Sequence, residues 1–399
     1  MDKNDSQKKK TKYKLKVMDI ITIVFTAVIL GIMIFVLYDQ FAGDESNNGA
    51  NNNNTAVATG TTTSTPSPTS EPTLSDIGNI YGNITNDADV AVIDEREYFI
   101  STDENGDKHI WASIGDTTKD IIKTEASSLN VVTDYISYAD QTDVTAYYVF
   151  YINGDGKICY VYDGPLGSNL EEKENLEEQL FLNGSFKSID VSGEYVYYLT
   201  TDGQIGRVNI LTKETAQLSQ EHKYDSFVLY YGAIYGLCSE DGKIYAMSST
   251  PASTEETATA SPTPTDSEDT EEDPNEILVI SEASKNFVLD DYWIYVITDN
   301  GIARYICDQT DKKDTLINVN VDALNVYQGA MFYIADGDLY TASAEILLTG
   351  AADKIGSAIG ADSINIFEDS IYLTDKSGKL MKSTYDSESD SYSEFIAMN

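Results

Sequence analysis

Few side chains in these 399 residues are of a type that does chemistry: two histidines, three cysteines and a large surplus of carboxylates. A general base needs a nucleophile or an orienting acid within hydrogen-bond reach. His109, beside a turn in Asp107-Lys-His-Ile-Trp111, and His222, in the polar stretch Gln220-Glu-His-Lys-Tyr224, have no such partner at a recognisable spacing. Both read as surface histidines. Cys159, Cys238 and Cys307 fall in or just after strand-like segments and read as small buried hydrophobes. One disulfide plus a leftover thiol is allowed, but no spacing selects a pair. These counts exclude a disulfide scaffold, a Cys-built zinc module and a His-rich metal site. Asp103-Glu-Asn-Gly-Asp107 and Asn153-Gly-Asp-Gly156 carry oxygen ligands suited to calcium, yet neither completes an EF-hand loop, and both read as hairpin turns. Carboxylate pairs spaced for glycoside hydrolysis arise by chance among so many acids. The sequence therefore assigns no catalytic, cofactor or metal residue and leaves the binding residues unknown.

The acids themselves are unevenly placed. Lys and Arg number 26 against 66 Asp and Glu, a net charge of −40, and such a surface repels nucleic acid. Lys3, Lys8, Lys9, Lys10, Lys12, Lys14 and Lys16 crowd residues 1–16 beside only Asp2 and Asp5. An uncharged apolar run follows from Ile20 to Leu37, and with its flanks, 17–38, it is long enough to cross a bilayer. No small-x-small cleavage site follows, so the segment reads as an uncleaved signal anchor. The lysines keep the amino end in the cytoplasm and place the remainder outside. Residues 1–38 hold seven bases and three acids, leaving 19 bases against 63 acids, a net of −44, for the exported part.

Residues 39–75 are rich in Asn, Thr, Ser and Pro, cannot bury enough to offset ordering entropy, and read as a disordered stalk. The tract 249–276 has the same character and reads as a disordered acidic insertion. A second insertion, Asp163 to Glu178, is predicted to form a short helix, with its Leu176 one helical turn from Leu180.

The exported part repeats. An aromatic-aliphatic strand, an Asp/Asn-Gly turn and a second strand recur seven times. Examples are Tyr195-Val-Tyr-Tyr-Leu199 with Asp202-Gly203, and Met331-Phe-Tyr-Ile334 with Asp336-Gly337. A further strand precedes each, among them Leu129-Asn-Val-Val132, Ser188-Ile-Asp-Val191, Leu324-Asn-Val-Tyr327 and Ile364-Asn-Ile-Phe367. The turn glycines 106, 156, 203, 242, 301, 337 and 378 recur about every 40 residues once the tract 249–276 is removed, the spacing of a propeller blade. The expected fold is all-β, a β-propeller over 76–399 of seven four-stranded blades, with six or eight left open. Both insertions fall between the strand after the glycine turn and the next strand, and so predict one shared, acidic face.

Gly78-Asn-Ile-Tyr-Gly-Asn-Ile-Thr-Asn86 followed by this repeat resembles the DUF5050 family of exported bacterial proteins. That family is similar to the β-propeller of low-density lipoprotein receptor-related proteins. The resemblance covers roughly 76–399 and implies a propeller without an assigned reaction. Two positions depart from it. Asp87-Ala88 stands where the family has Gly-Gly, and the nearest match to the receptors' Tyr-Trp-Thr-Asp strand is Tyr292-Trp-Ile-Tyr295.

The combined expectation is a single-pass cell-membrane protein, anchored through 17–38 with its amino end cytoplasmic. It displays a non-catalytic binding or scaffolding propeller that meets a protein or cell-wall ligand outside the cell, with no cofactor. The alternatives are an extracytoplasmic hydrolase of wall glycan or peptide, and the sensor part of a membrane signalling system.

Overall fold

All seven turn glycines of the repeat adopt left-handed backbone, with φ between 69° and 119°, the conformation a tight hairpin demands and a Cβ resists. Each joins the second and third strands of an antiparallel sheet. The structure, a computed structural model, describes residues 73–74, 78–138, 141–164, 170, 176–251, 275–307, 309–344 and 352–399. The basic tail 1–16, the expected span 17–38 and all but Thr73–Leu74 of the stalk lie outside the described residues. Among the described residues no helix is long and apolar enough to cross a membrane.

Seven sheets follow one another along the chain, each with its strands in sequence order. They occupy residues 90–122, 126–182, 186–217, 224–280, 286–317, 323–357 and 365–397, here blades 1 to 7. The number is seven. Blade 1 shows the plan: Val90–Ile93, Arg96–Thr102, Lys108–Ile114 and Thr117–Ile122. Thr73–Leu74, at the end of the expected stalk, pairs with the first strand of blade 2, Thr73 opposite Tyr135. The predicted helix around Leu176 and Leu180 does not form, since Gln179–Leu182 is the fourth strand of blade 2. Strand alternation there buries Phe181 and exposes Leu180, and the sheet satisfies backbone groups that a single helical turn would leave open. Glu276, the last residue of the expected insertion, opens the fourth strand of blade 4. Both insertions leave between third and fourth strands, of blades 2 and 4, and so from the same face. Tyr292 also lies on that face, in the first turn of blade 5. Its backbone has φ 65°, and its ring stacks on exposed Tyr231 with centroids 5.5 Å apart.

Apolar clusters fill the seams between consecutive blades. The seam of blades 1 and 2 buries Tyr98, Ile110, Leu129, Val149 and Tyr151 among others. The closing seam buries only Val90, Phe99, Tyr372 and Leu380. Blades 1 and 7 each come from one stretch of chain, so no shared sheet closes the ring. Polar bonds reinforce the seam instead. Glu97 accepts from Lys382 Nζ at 2.5 Å and Tyr372 Oη at 3.0 Å, and the Thr102 amide donates to the Gly378 carbonyl.

The axis of the ring raises a second problem. The first strand of every blade lines the axis, with inward N–H and C=O groups that need partners, and in blade 2 Thr73–Leu74 covers part of that edge. Residues 78–88, including the single helical turn Tyr81–Ile84, supply them. Asn79 Nδ2 donates to the carbonyls of Val90 and Leu129, both at 2.8 Å. Asn83 both donates to the Ile366 carbonyl and accepts from the Ile366 amide. Asn86 Nδ2 reaches the Leu324 carbonyl, and Asn286 reaches the carbonyl of Thr85. The Gly78 amide donates to Val191, while Tyr81 packs edge-on against Tyr230 of blade 4. Seven blades thus touch one short segment. An ideal Cβ at Gly82 would stand 1.9 Å from Asn325 Oδ1 and 3.2 Å from Val288. Gly82→Ala should therefore cost about 3 kcal/mol, whereas Gly106→Ala, whose Cβ meets open space, should cost about 1 kcal/mol through its positive φ alone. Denaturant unfolding of the full chain measures both, and equal losses would refute the role given to Gly82.

Candidate functional site

The plugged axis opens, on the face of the seven glycine turns, into a hollow of about 410 Å³. Its wall is the ring of residues at the beginnings of the first strands. Ser128, Ser188, Ser226 and Ser363 stand immediately before the apolar residues Leu129, Ile189, Phe227 and Ile364 that fix each blade in the core. A small hydroxyl at that point lets neighbouring blades converge and keeps the mouth polar. Ser188 and Ser226 hydroxyls have no hydrogen-bond partner among the described residues. Asp87, Asp89 and Asp362 add carboxylates on the side of blades 7 and 1, and Lys108 and Lys187 add amines. Lys187 is held by Asp225 at 3.5 Å.

Asp87 and Ala88 end the plug, and both have left-handed backbone, φ 65° and 49°. These are the two positions where the resemblance calls for Gly-Gly. Neither residue gains from that conformation, and each such position costs of order 1 kcal/mol. What the departure delivers is a carboxylate at the rim of the hollow. Asp87 is exposed, but desolvation by the surrounding wall of the hollow raises its carboxyl above the usual range, and Asp362 raises it further. Asp89 accepts from the Thr374 hydroxyl at 2.7 Å, and burial pushes it up to about 6 against that bond. The hollow is lined mainly by acceptors, suited to a ligand rich in hydroxyls or amines.

Deeper on the axis, polar side chains of the first strands tie blade to blade. Asn130 Nδ2 donates to the Ile189 carbonyl and its Oδ1 accepts from the Val191 amide. Asn325 Nδ2 reaches the carbonyl of Ile364, and Asp190 accepts from the Leu229 amide at 2.9 Å. Burial pushes the Asp190 carboxyl up to about 7, that amide opposing it. Sequence reasoning gave these residues no role, although their signal was there. An Asn or Asp sits between apolar residues in Leu129-Asn-Val, Ile189-Asp-Val, Leu324-Asn-Val and Ile364-Asn-Ile.

The residues singled out by type are scattered. His109 is not a surface group: it is largely buried, with Nδ1 2.9 Å from Asp120 Oδ2. His222 is also partly buried. It stacks on Tyr245 with centroids 4.0 Å apart and bonds Glu276 at 2.9 Å. Burial alone would raise the Glu276 carboxyl, but the Tyr224 hydroxyl and the amides of Gln220 and Glu221 hold it below its usual range. Loop and strand are locked together there, on the outside of blade 4. The three cysteines are unbridged, and Cys159 and Cys238 are buried. Burial, then Glu178, pushes the Cys159 thiol up to about 12. The side chains that open these turns, a carboxylate and an amide, cap their own loops. Asp103 Oδ1 accepts from the amides of Asn105 and Asp107, and Asn153 Oδ1 from those of Asp155 and Lys157. Their oxygens therefore serve the hairpins.

No family model matches the chain, and no curated protein matches it. Solved structures do. Hsv2 of Kluyveromyces marxianus aligns at 9% identity over 82% of this chain and 98% of that one, with a TM-score of 0.43. The computationally designed Ika8 protein aligns at 11% identity over 77% and 99%, TM-score 0.39. A chain of a nidogen/laminin complex aligns at 14% over 60% and 90%, TM-score 0.38.

The raised Asp190 carboxyl sets a pH dependence. A carboxyl whose folded value exceeds its unfolded value favours folding at low pH and loses that contribution as pH rises through the folded value. For Asp190 the window runs from 3.8 to about 7, with a slope of about 1.4 kcal/mol per pH unit. Asn can still accept from the Leu229 amide. Asp190→Asn should therefore stabilise the chain at pH 8 and leave it unchanged at pH 4, measured by thermal melting. An equal effect at both pH values would contradict the assignment.

Proposed function

We propose that this chain is a membrane-anchored extracytoplasmic β-propeller that binds a polar ligand in the hollow at its axis and catalyses no reaction. The observation that carries the binding part is the acceptor-lined mouth, with Asp87 held at its rim in left-handed backbone. Hydrogen bonds of its buried neighbours Asn86 and Ala88 fix that backbone and leave the exposed Asp87 carboxylate at the rim. The anchor and orientation rest on the uncharged run within 17–38 and the seven lysines before it. The exported, bacterial setting rests on the DUF5050 resemblance of residues 78–86 and of the repeats.

Binding and stability should trade off at one residue. Asp87→Gly relieves the backbone and removes the carboxylate. The full chain in detergent should gain about 1 kcal/mol and retain at least tenfold less cell-wall material. Unchanged retention would remove the hollow from the binding site.

Hydrolysis is the competing reading, favoured by Asp89, a carboxyl pushed up to about 6 beside two further acids in a hollow. Product released from wall material by the full chain, and abolished by Asp89→Asn, would establish it in place of pure binding. Orientation has its own test. Antibody against the exposed loop 386–390 should label intact cells, and labelling only after permeabilisation would reverse the proposed topology.

A further inference from the structure

Beside the hollow, on the same face, a cleft of about 590 Å³ runs between the glycine turns of blades 1 and 7 and the start of blade 2. Lys108, Lys123 and Lys376 line it against the carboxylates Asp107 and Glu125, with His109 at its wall. The exported part has 19 bases to 63 acids, so three amines around one opening reverse the local balance. Their origins differ: Lys108 begins the third strand of blade 1, Lys123 follows its fourth, and Lys376 sits in the turn of blade 7. The stem of Lys376 is placed by backbone. It crosses Gly360, where an added Cβ would meet Lys376 Cε at 2.3 Å, so glycine there leaves the stem its path. Lys123 is 3.8 Å from Asp120, a carboxylate already bonded to His109. Lys108 and Lys376 make no ion pair among the described residues, and both are exposed. Lys108 also lines the hollow, so the two spaces adjoin at that side chain.

We infer that the ligand is a phosphorylated polyol, with its phosphate among Lys108, Lys123 and Lys376 and its hydroxyls toward the carboxylates and serines of the hollow. This rests on the hollow being a binding site. Compact ammonium groups bind phosphate as point charges. Hydroxyls, as donors, suit the acceptors next door. The overall negative charge does not prevent this. At physiological ionic strength charges beyond about 8 Å are largely screened, while amines in contact with the anion are not.

The test is calorimetric titration of the full chain in detergent with sn-glycerol 3-phosphate, inorganic phosphate and glycerol. Saturable binding of glycerol phosphate is expected, with inorganic phosphate weaker. The double variant K108Q/K376Q should weaken glycerol phosphate at least tenfold while its melting temperature, set by buried groups, stays within a degree or two. Absence of saturable binding by both phosphates, or equal binding by the double variant, would overturn the inference. Retention of wall material distinguishes that failure from failure of the hollow. Retention lost in Asp87→Gly but kept in K108Q/K376Q preserves the hollow and removes the phosphate.

Discussion

Seven first strands converge on one axis, and each presents to it backbone groups that need partners. That constraint organises the protein. A channel filled with water would satisfy the groups, but so narrow an axis leaves little room, and an apolar plug would strand them. An asparagine side chain offers both a donor and an acceptor, as the backbone does. Asn79, Asn83 and Asn86, spaced four and three residues apart, supply six such groups from one helical turn and its flanks. Gly82 lets the turn approach closely enough for those bonds to form.

The plug makes up for a weak closure. The ring has no strand shared between its first and last blades, and its closing seam has the smallest apolar cluster. A segment that bonds to blades 1, 2, 3, 5, 6 and 7 and packs on blade 4 holds the ring from within. The inner Asn130, Asp190 and Asn325 extend the same device between neighbouring blades. Asp190 uses a carboxylate where the others use an amide, and burial shifts its titration towards neutrality.

Where the plug ends, structure and function meet. Residues 87–89 leave the axis through left-handed backbone and place two carboxylates at the mouth. The glycine turns, chosen for hairpin geometry, lie on that same face and carry lysines beside them. The acidic tracts leave from the opposite face. The molecule thus has one face with a mixed, lysine-bearing hollow and one framed by the ends of acidic insertions.

The sequence by itself determined the period, the seven turns and the strand order, because glycine at positive φ and two-residue alternation are local requirements, written at every repeat. It also marked Gly78 to Asn86 as distinctive without saying why. The reason is non-local: Asn83 finds Ile366, and Asn86 finds Leu324, only once the ring has closed. The same holds for errors of reading. Leu176 and Leu180 match a helix until strand pairing claims Leu180, and His109 and His222 look solvent-exposed until Asp120 and Glu276 arrive from other strands. Tertiary structure alone decided that Asp87, Asp89 and Asp362 share one hollow and that Lys108 and Lys376 share one cleft. Residues 268 to 275 apart in sequence become neighbours only where the last blade meets the first.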